Sequence, residues 1–148
     1  MQIPNDHLYK GVIEEDTVYQ FNKGIPGFEQ YTKFTVIPHD ECFSIMQSLE
    51  EEGLAFIITN PFMFFENYEF ELSESDLEEL GIESVNEVVV RSIVTWGDSL
   101  SDVTTNLMAP LIFNAKTKQG KQIVLYPTTY KSKHPLLRDT TEQKGGDV

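Results

Sequence analysis

The sequence predicts a small, mainly β domain, and three observations lead to this prediction. Short stretches rich in β-branched and aromatic residues recur along the chain, separated by Gly, Pro and Asp turn signals, which is typical of a small all-β fold. The 148 residues are 40% hydrophobic and 11% aromatic, which suits one domain with its own core and is too rich for a disordered chain. The single cysteine, Cys42, closes no internal disulfide, so a disulfide-stapled secreted scaffold is excluded.

Most of the predicted strands lie in the first half of the chain. Thr17, Tyr19 and Phe21 alternate with smaller residues, which predicts a half-buried strand that forms a hairpin with residues 11–13. The sequence Gly24-Ile25-Pro26-Gly27 predicts a turn, because Pro fixes φ and Gly tolerates positive φ. Further strands are predicted at residues 33–37, 43–47, 54–59 and 68–72.

The second half contains one predicted helix followed by longer strands. Ser73 is a suitable N-cap, Leu77 and Leu80 form an apolar stripe, and Gly81 is placed to end the helix. A strand over 87–96 is expected to be covered on both faces, because its first half is continuously apolar. A hairpin is predicted from strands at 109–115 and 122–126, joined by residues 116–120. The domain is expected to span residues 1–138, with a flexible polar tail at 139–148.

Acidic residues dominate the charge of the chain. There are 24 Asp and Glu against 11 Lys and Arg, a net charge of −13, and the interval between Lys33 and Arg91 holds 14 acids and no base. A polyanion gains no counterion-release free energy from phosphates, so direct binding of nucleic acid is not expected. The same charge favours a basic partner. The alternative interpretation is that the acids only keep the protein soluble.

Motifs for catalysis or metal binding are missing from the sequence. His7, His39 and His134 are far apart, and no nucleophile elbow or phosphate-binding loop is present. The adjacent acids Glu50, Glu51 and Glu52 are interpreted as a solvated loop rather than a catalytic pair. We therefore expect no enzymatic activity, cofactor or metal. No apolar stretch approaches the roughly 20 residues of a membrane helix, and the first ten residues do not resemble a signal peptide, so the expected location is the cytoplasm.

An aromatic segment at residues 56–70 is the strongest candidate for a binding surface. It follows a strand that ends at Asn60-Pro61, and a period-two strand would bury only some of its rings. Phe62, Met63 and Phe64 are therefore candidates for a surface that contacts a partner. The alternative is a loop folded back over the core.

Several segments together resemble the FliW family of flagellar assembly factors. The segments run in order from about residue 3 to residue 137, and they are Phe21-Asn22-Lys23-Gly24-Ile25-Pro26-Gly27-Phe28-Glu29, Met46-Gln47-Ser48, Ala55-Phe56-Ile57-Ile58 with Pro61, Thr105-Asn106-Leu107-Met108-Ala109-Pro110-Leu111-Ile112, Gln122-Ile123-Val124-Leu125, Tyr130 and Pro135-Leu136. Two positions depart from the family pattern. Asn60 stands where the family often has an acid, and Met46 where it often has leucine.

The resemblance implies an antiparallel β-barrel-like domain with one or two short helices, without enzymatic activity or cofactor. It also implies two partners: flagellin, and CsrA, a small basic RNA-binding dimer that represses flagellin translation. Members of the family antagonise CsrA, by an allosteric route away from the RNA groove, when flagellin does not occupy them. The candidate partner-binding residues are Met46, Gln47, Ser48, Glu50, Glu51, Glu52, Asn60, Pro61, Phe62, Met63, Phe64 and Asn106.

Several alternatives and secondary expectations accompany the resemblance. The acidic interval is hypothesised to place negative charge near the RNA path of CsrA. One alternative function is a nucleic-acid mimic that occupies an RNA-binding groove directly, and another is a carboxylate-dependent enzyme. Asn106 is expected first to fix a turn through its side chain and second to contact a partner. A monomer is expected, because no heptad pattern or long apolar helix is present.

Overall fold

A ring of seven hydrogen-bonded strands forms the centre of the computed structural model, which describes residues 1–4, 13–14 and 16–136. The strands of the described chain are β1 (Gln2–Ile3), β2 (Tyr19–Gln20), β3 (Lys33–Pro38), β4 (Phe43–Ser48), β5 (Ala55–Thr59), β6 (Phe70–Glu71), β7 (Val88–Thr95), β8 (Thr104–Thr105), β9 (Leu111–Asn114), β10 (Gln119–Gln122) and β11 (His134–Pro135). The ring runs β2-β3-β4-β5-β7-β9-β10 and returns to β2, which closes a barrel. The mainly β, barrel-like fold expected from the sequence is confirmed.

Six of the seven contacts around the barrel are antiparallel, and the seventh is parallel. The antiparallel register places Ile37 opposite Ile45 and Ile45 opposite Ile57. The parallel contact joins β10 to β2 at Gln119 and Gln20. These are the first and the last strands of the barrel in chain order. Their parallel pairing is possible because the long chain between them serves as the crossover connection that parallel strands need.

The barrel interior is filled by large apolar side chains. The rings of Tyr19 and Phe21 pack edge-on against Phe113, with centroids 5.2 and 5.5 Å apart. Strands β3, β4 and β5 contribute Phe34, Val36, Met46 and Ile58, all 5% exposed or less. Side chains alternate between the two faces of a strand, so the residues between these positions lie on the outside of the barrel.

A second apolar layer covers one side of the barrel. It contains the short antiparallel pair β1–β6, Tyr68, Leu72, Leu80 and the outer-facing side chains of β7 and β9. Val88 and Val90 pack into this layer, whereas Val89 packs into the barrel interior. The prediction that this strand is covered on both faces is confirmed.

The helix α1 (Glu74–Leu80) forms as the sequence predicted. The hydroxyl of Ser73 accepts a hydrogen bond from the N–H of Asp76 at 3.1 Å, and Gly81 ends the helix at φ 64°. Within the described part of the chain, short 3-10 helices also occur at Pro61–Met63, Val85–Glu87 and Leu100–Asp102. Among the residues that the structure describes, no helix is long and apolar enough to cross a membrane.

The connection between the two strands of the last hairpin, β9 and β10, is shorter than predicted. Its turn lies at residues 115–118, and β10 begins at Gln119, three residues before the predicted start at 122. The side chain of Asn114 stabilises this short turn, because its Oδ1 accepts hydrogen bonds from the N–H groups of Lys116 and Thr117. Residues 123–125 continue beyond β10 and bond to Pro110 and Met108. The predicted partner of the early strand, 11–13, falls mostly outside the described residues, as does the predicted tail at 139–148.

Candidate partner-binding surface

The turn between β4 and β5 holds five of the candidate residues in a dense hydrogen-bond network. Nε2 of Gln47 donates to the carbonyls of Ser48, Glu52 and Leu54 at 3.1–3.2 Å. The hydroxyl of Ser48, whose side chain is buried, accepts from the N–H groups of Glu50 and Glu51 at 3.0 Å each. Gln47 and Ser48 thus hold the turn in its conformation, and their polar groups are already engaged within the chain.

The three adjacent acids in this turn differ in their contacts. Oε1 of Glu50 accepts hydrogen bonds from the N–H groups of Thr32 and Lys33, at 2.7 and 3.2 Å, and so fixes the start of β3. Oε2 of Glu51 accepts from the N–H of Gly53 at 3.3 Å. Glu52 is exposed, and its carboxylate forms no ion pair with a Lys or Arg of the described residues. Glu51 and Glu52 are therefore the more available negative charges of the three.

The aromatic loop after β5 turns partly into the core and partly to the surface. Oδ1 of Asn60 caps the 3-10 helix at Pro61–Met63 by accepting from the N–H of Phe62. Pro61 is buried, and Phe62 is 4% exposed with its ring 5.6 Å from that of Tyr68. For Pro61 and Phe62 the expectation of a surface loop is wrong, because Pro61 is buried and the side chain of Phe62 belongs to the apolar layer outside the barrel.

Met63 and Phe64 lie on the outside of the same loop. Met63 is 45% exposed, and the ring of Phe64 stacks on Phe43 with centroids 6.4 Å apart. Trp96, which is 49% exposed, packs edge-on against the ring of Phe43, with centroids 5.4 Å apart. These contacts form an aromatic row from Phe64 through Phe43 to Trp96.

The aromatic row continues into a row of isoleucines on the outside of the barrel. Ile37, Ile45 and Ile57 lie opposite one another across β3, β4 and β5, and Ile37 is 48% exposed. Phe43 lies two residues before Ile45 and so on the same face of β4. We call this surface the outer sheet face, and it consists of Ile37, Phe43, Ile45, Ile57, Phe64 and Trp96.

Most residues of the outer sheet face were not predicted as a surface from the sequence. A signal was present, because each of the strands β3, β4 and β5 carries two adjacent large apolar residues: Val36-Ile37, Ile45-Met46 and Ile57-Ile58. Since neighbouring residues of a strand point to opposite faces, one residue of each pair must lie outside the barrel.

Two remaining candidates have mainly structural contacts. Met46 is completely buried in the barrel interior, so its side chain offers no surface to a partner, and the expectation that it contacts one is wrong. Oδ1 of Asn106 accepts from the N–H groups of Met108 and Ala109, at 3.1 and 3.0 Å. The prediction that Asn106 fixes a turn through its side chain is confirmed.

The lysines of the C-terminal half compensate part of the acidic charge. Nζ of Lys121 lies between the carboxylates of Asp76 and Glu79, 2.7 Å from Oδ1 of Asp76. Burial alone would lower the pKa of Lys121, but its hydrogen bonds to these two acids outweigh that effect and raise it. The hydrogen bonds from Lys121 and Lys23 lower the pKa of Glu79. Charge from α1 is thus partly neutralised, whereas the turn at 50–52 has no Lys or Arg within ion-pair distance in the described chain.

No group of three or more His, Cys, Asp or Glu within residues 1–4, 13–14 and 16–136 is placed to hold a metal ion. Burial lowers the pKa of Arg91 to about 10, and its Nη1 donates to the carbonyl of Val90 at 2.8 Å. Burial also raises the pKa of Tyr68, whose hydroxyl donates to the carbonyl of Leu107 at 2.8 Å. Both groups make structural contacts.

The fold and its surface define a small closed β-barrel protein with an acidic body and an apolar outer sheet face. Residues 3–136 match the model of the FliW protein family, so the chain belongs to the FliW family. It is 42% identical over 126 residues to the flagellar assembly factor FliW of Bacillus subtilis strain 168, covering 84% of this chain and 88% of that protein. It is 41% identical over 133 residues to the flagellar assembly factor FliW of Clostridium novyi strain NT, covering 87% and 93%.

A solved structure has the same fold. The crystal structure of a flagellar assembly factor FliW superposes with a TM-score of 0.81 and 34% sequence identity. The match covers 95% of this chain and 99% of the other. The relatives are named assembly factors rather than enzymes, which fits the prediction of a non-enzyme.

Proposed function

We propose that this protein is a flagellar assembly factor that acts by binding proteins: it binds flagellin, and it binds and antagonises the RNA-binding regulator CsrA. Membership of the FliW family carries the proposal. When flagellin is abundant it occupies the protein, and CsrA remains free to repress flagellin translation. When flagellin has been secreted, the protein is free to bind CsrA, and translation resumes.

Two features of the surface support a role in protein binding. The outer sheet face offers apolar side chains, with Trp96 and Ile37 each about half exposed. Exposed aromatic residues are enriched among the residues that dominate binding energy at protein interfaces. The net charge of −13 favours association with a basic protein such as CsrA and accelerates its approach.

Replacing Trp96 by alanine is expected to weaken binding to at least one of the two partners by about 1–3 kcal/mol. The effect on folding should be small, because half of the indole is already in contact with water. Isothermal titration calorimetry with purified CsrA and with purified flagellin would measure both affinities, and urea denaturation would measure stability.

The matched control is Val18→Ala, which shortens an apolar side chain that is 47% exposed, close to the exposure of Trp96, and lies outside the outer sheet face. Unchanged affinity of Trp96→Ala for both partners would exclude the tryptophan as an anchor. Failure of the unaltered protein to bind either CsrA or flagellin would overturn the proposed function itself.

Neutralising Glu50, Glu51 and Glu52 together to glutamine is expected to reduce the displacement of RNA from CsrA while leaving much of the CsrA affinity intact. Glutamine retains the Oε1 acceptor that Glu50 uses at Thr32 and Lys33, so the turn should keep its conformation. Each exposed charge contributes only about 0–1 kcal/mol, but the effects add and should fade as salt increases. Fluorescence anisotropy of labelled RNA, with both proteins at saturation and at low and high salt, measures the release.

Equal RNA release by the triple variant and the unaltered protein at low salt would contradict the role of these acids. The same experiment distinguishes the nucleic-acid mimic. A mimic competes with RNA for one site, so excess RNA should restore full RNA binding. An antagonist that acts away from the RNA groove should leave a maximal effect that excess RNA does not abolish.

A further inference from the structure

A cleft of about 540 Å³ lies between β6 and the segment that follows β10, on a different part of the molecule from the outer sheet face. Gln2, Phe70, Glu71, Ser73 and Asp76 line one side, and residues 123–128 line the other. The hydroxyl of Tyr130, which also lines the cleft, contacts both the N–H and the carbonyl of Glu69, at 3.2 and 3.3 Å. We call this feature the edge cleft, and its volume lies within the range of small-ligand pockets.

The wall formed by β6 presents an unpaired strand edge to the edge cleft. Met1 and Leu72 exchange two hydrogen bonds, N–H to carbonyl in both directions, at 2.8 and 2.7 Å. In an antiparallel ladder, hydrogen-bonded residue pairs alternate with pairs that form no hydrogen bond to each other. The neighbouring pair Gln2–Glu71 is therefore a non-hydrogen-bonded pair. The N–H and carbonyl of Glu71 therefore point away from β1, toward the other edge of β6.

The opposite wall presents a second strand edge. The N–H of Ile123 donates to the carbonyl of Pro110 at 3.0 Å, and the N–H of Leu125 donates to the carbonyl of Met108 at 2.8 Å. Because successive residues of an extended strand direct their backbone groups to opposite sides, those of Val124 point away from residues 108–110. Exposed edges of this kind are templates for pairing with another extended chain.

The side chains of the edge cleft combine negative charge with apolar surface. Glu69 and Glu71 are exposed, and neither lies within ion-pair distance of a Lys or Arg of the described chain. The described residues that line the cleft include no base. Val124 and Tyr126 are 63% and 91% exposed, so the apolar surface of both side chains is available beside the strand edge.

We propose that the edge cleft binds an extended, positively charged segment of another protein, which adds as a strand along one of the two edges. Main-chain hydrogen bonds to Glu71 or Val124 would supply affinity. Lys or Arg side chains of the segment would pair with Glu69 and Glu71, and apolar side chains at alternate positions would pack on Val124 and Tyr126. From Glu69 to Ser73 the wall accommodates about four residues of extended chain. This site is independent of the outer sheet face and of whether CsrA or flagellin binds there.

The test uses two synthetic peptides, acetyl-Lys-Val-Lys-Val-Lys-amide and acetyl-Glu-Val-Glu-Val-Glu-amide, titrated into the ¹⁵N-labelled full-length protein. We expect the lysine peptide to bind at least tenfold more tightly and to shift the amide signals of Glu71 and Val124. Hydrogen exchange at one or both of these amides should slow at saturation. The double variant Glu69→Gln with Glu71→Gln should weaken binding of the lysine peptide about threefold to tenfold, since each exposed pair contributes little by itself.

Two controls separate strand addition from simple charge attraction. The double variant Glu41→Gln with Glu83→Gln removes equal charge at two exposed positions outside the edge cleft and should bind the lysine peptide as the unaltered protein does. A lysine peptide with alternate N-methylated amides keeps every side chain but cannot pair as a strand, and it should bind at least tenfold more weakly. Equal affinity for the methylated peptide, equal affinity for the glutamate peptide, or amide shifts confined to other surfaces would each overturn the proposal.

Discussion

Replacing Gly120 by alanine is expected to destabilise the protein by about 3 kcal/mol, the upper end of the usual range for overpacking a core. A Cβ at this position would lie 2.5 Å from Cζ and 2.6 Å from Cε1 of Phe21. The ring of Phe21 has no room to retreat, because it is fully buried and packs edge-on against Phe34 and Phe113 at 5.5 Å each. Urea denaturation measures the loss as a fall in the free energy of unfolding.

A second substitution shows whether the clash with Phe21 is the cause. Leucine at position 21 lacks the Cε and Cζ atoms, so Phe21→Leu combined with Gly120→Ala should cost less than the sum of the two single changes. Gly53→Ala is the matched control, because a Cβ at position 53 would lie 3.6 Å from Oε2 of Glu51, an ordinary van der Waals contact with the end of a flexible side chain. A loss for Gly120→Ala no larger than that for Gly53→Ala would show that the added methyl group does not clash with Phe21.

The second large effect is expected at Asn114, where alanine should cost about 2–3 kcal/mol of stability, since buried hydrogen-bonding groups would lose their partners. Asn114 is fully buried, and its Nδ2 donates to the carbonyl of Leu80 at 2.7 Å. Its Oδ1 accepts from the N–H groups of Lys116 and Thr117, at 2.8 and 3.1 Å. One side chain therefore fixes the β9–β10 turn and joins it to the end of α1.

The control for this prediction is Asn86→Ala, which removes an exposed amide and should change stability by less than about 0.5 kcal/mol. Thermal unfolding followed by circular dichroism compares the two variants. A loss at Asn114 as small as that at Asn86 would mean that water replaces the three hydrogen bonds at little cost.

Local sequence signals predicted the helix and the central strands well. Ser73 and Gly81 bound α1 because capping and helix termination depend on residues close in sequence. Strand β7 lies within the predicted range of 87–96, because a continuous apolar run of this length is itself a local signal for a strand covered on both faces. The start of β10 was misplaced, because the turn before it depends on the side chain of Asn114, which no periodicity reveals.

The candidate surface could be predicted only in part. Asn106 was assigned correctly because an Asn ahead of Ala-Pro acts on its immediate neighbours. Met46 and Phe62 were placed on a surface although they are buried, because burial depends on which strands meet in the barrel. The outer sheet face unites residues from positions 37 to 96, and their proximity follows from the register of four strands rather than from any local motif.

The parallel contact between β2 and β10 also constrains the order in which the chain can fold. Residues Gln20 and Gln119, which meet there, are separated by most of the described chain. A ribosome adds about 5–20 residues per second, so β10 is synthesised several seconds after β2. Hairpins such as β3–β4 can form in that interval, but one edge of β2 stays open to other chains. Closure of the barrel is thus expected to be the late step, on the millisecond-to-second scale typical of β proteins with distant pairings.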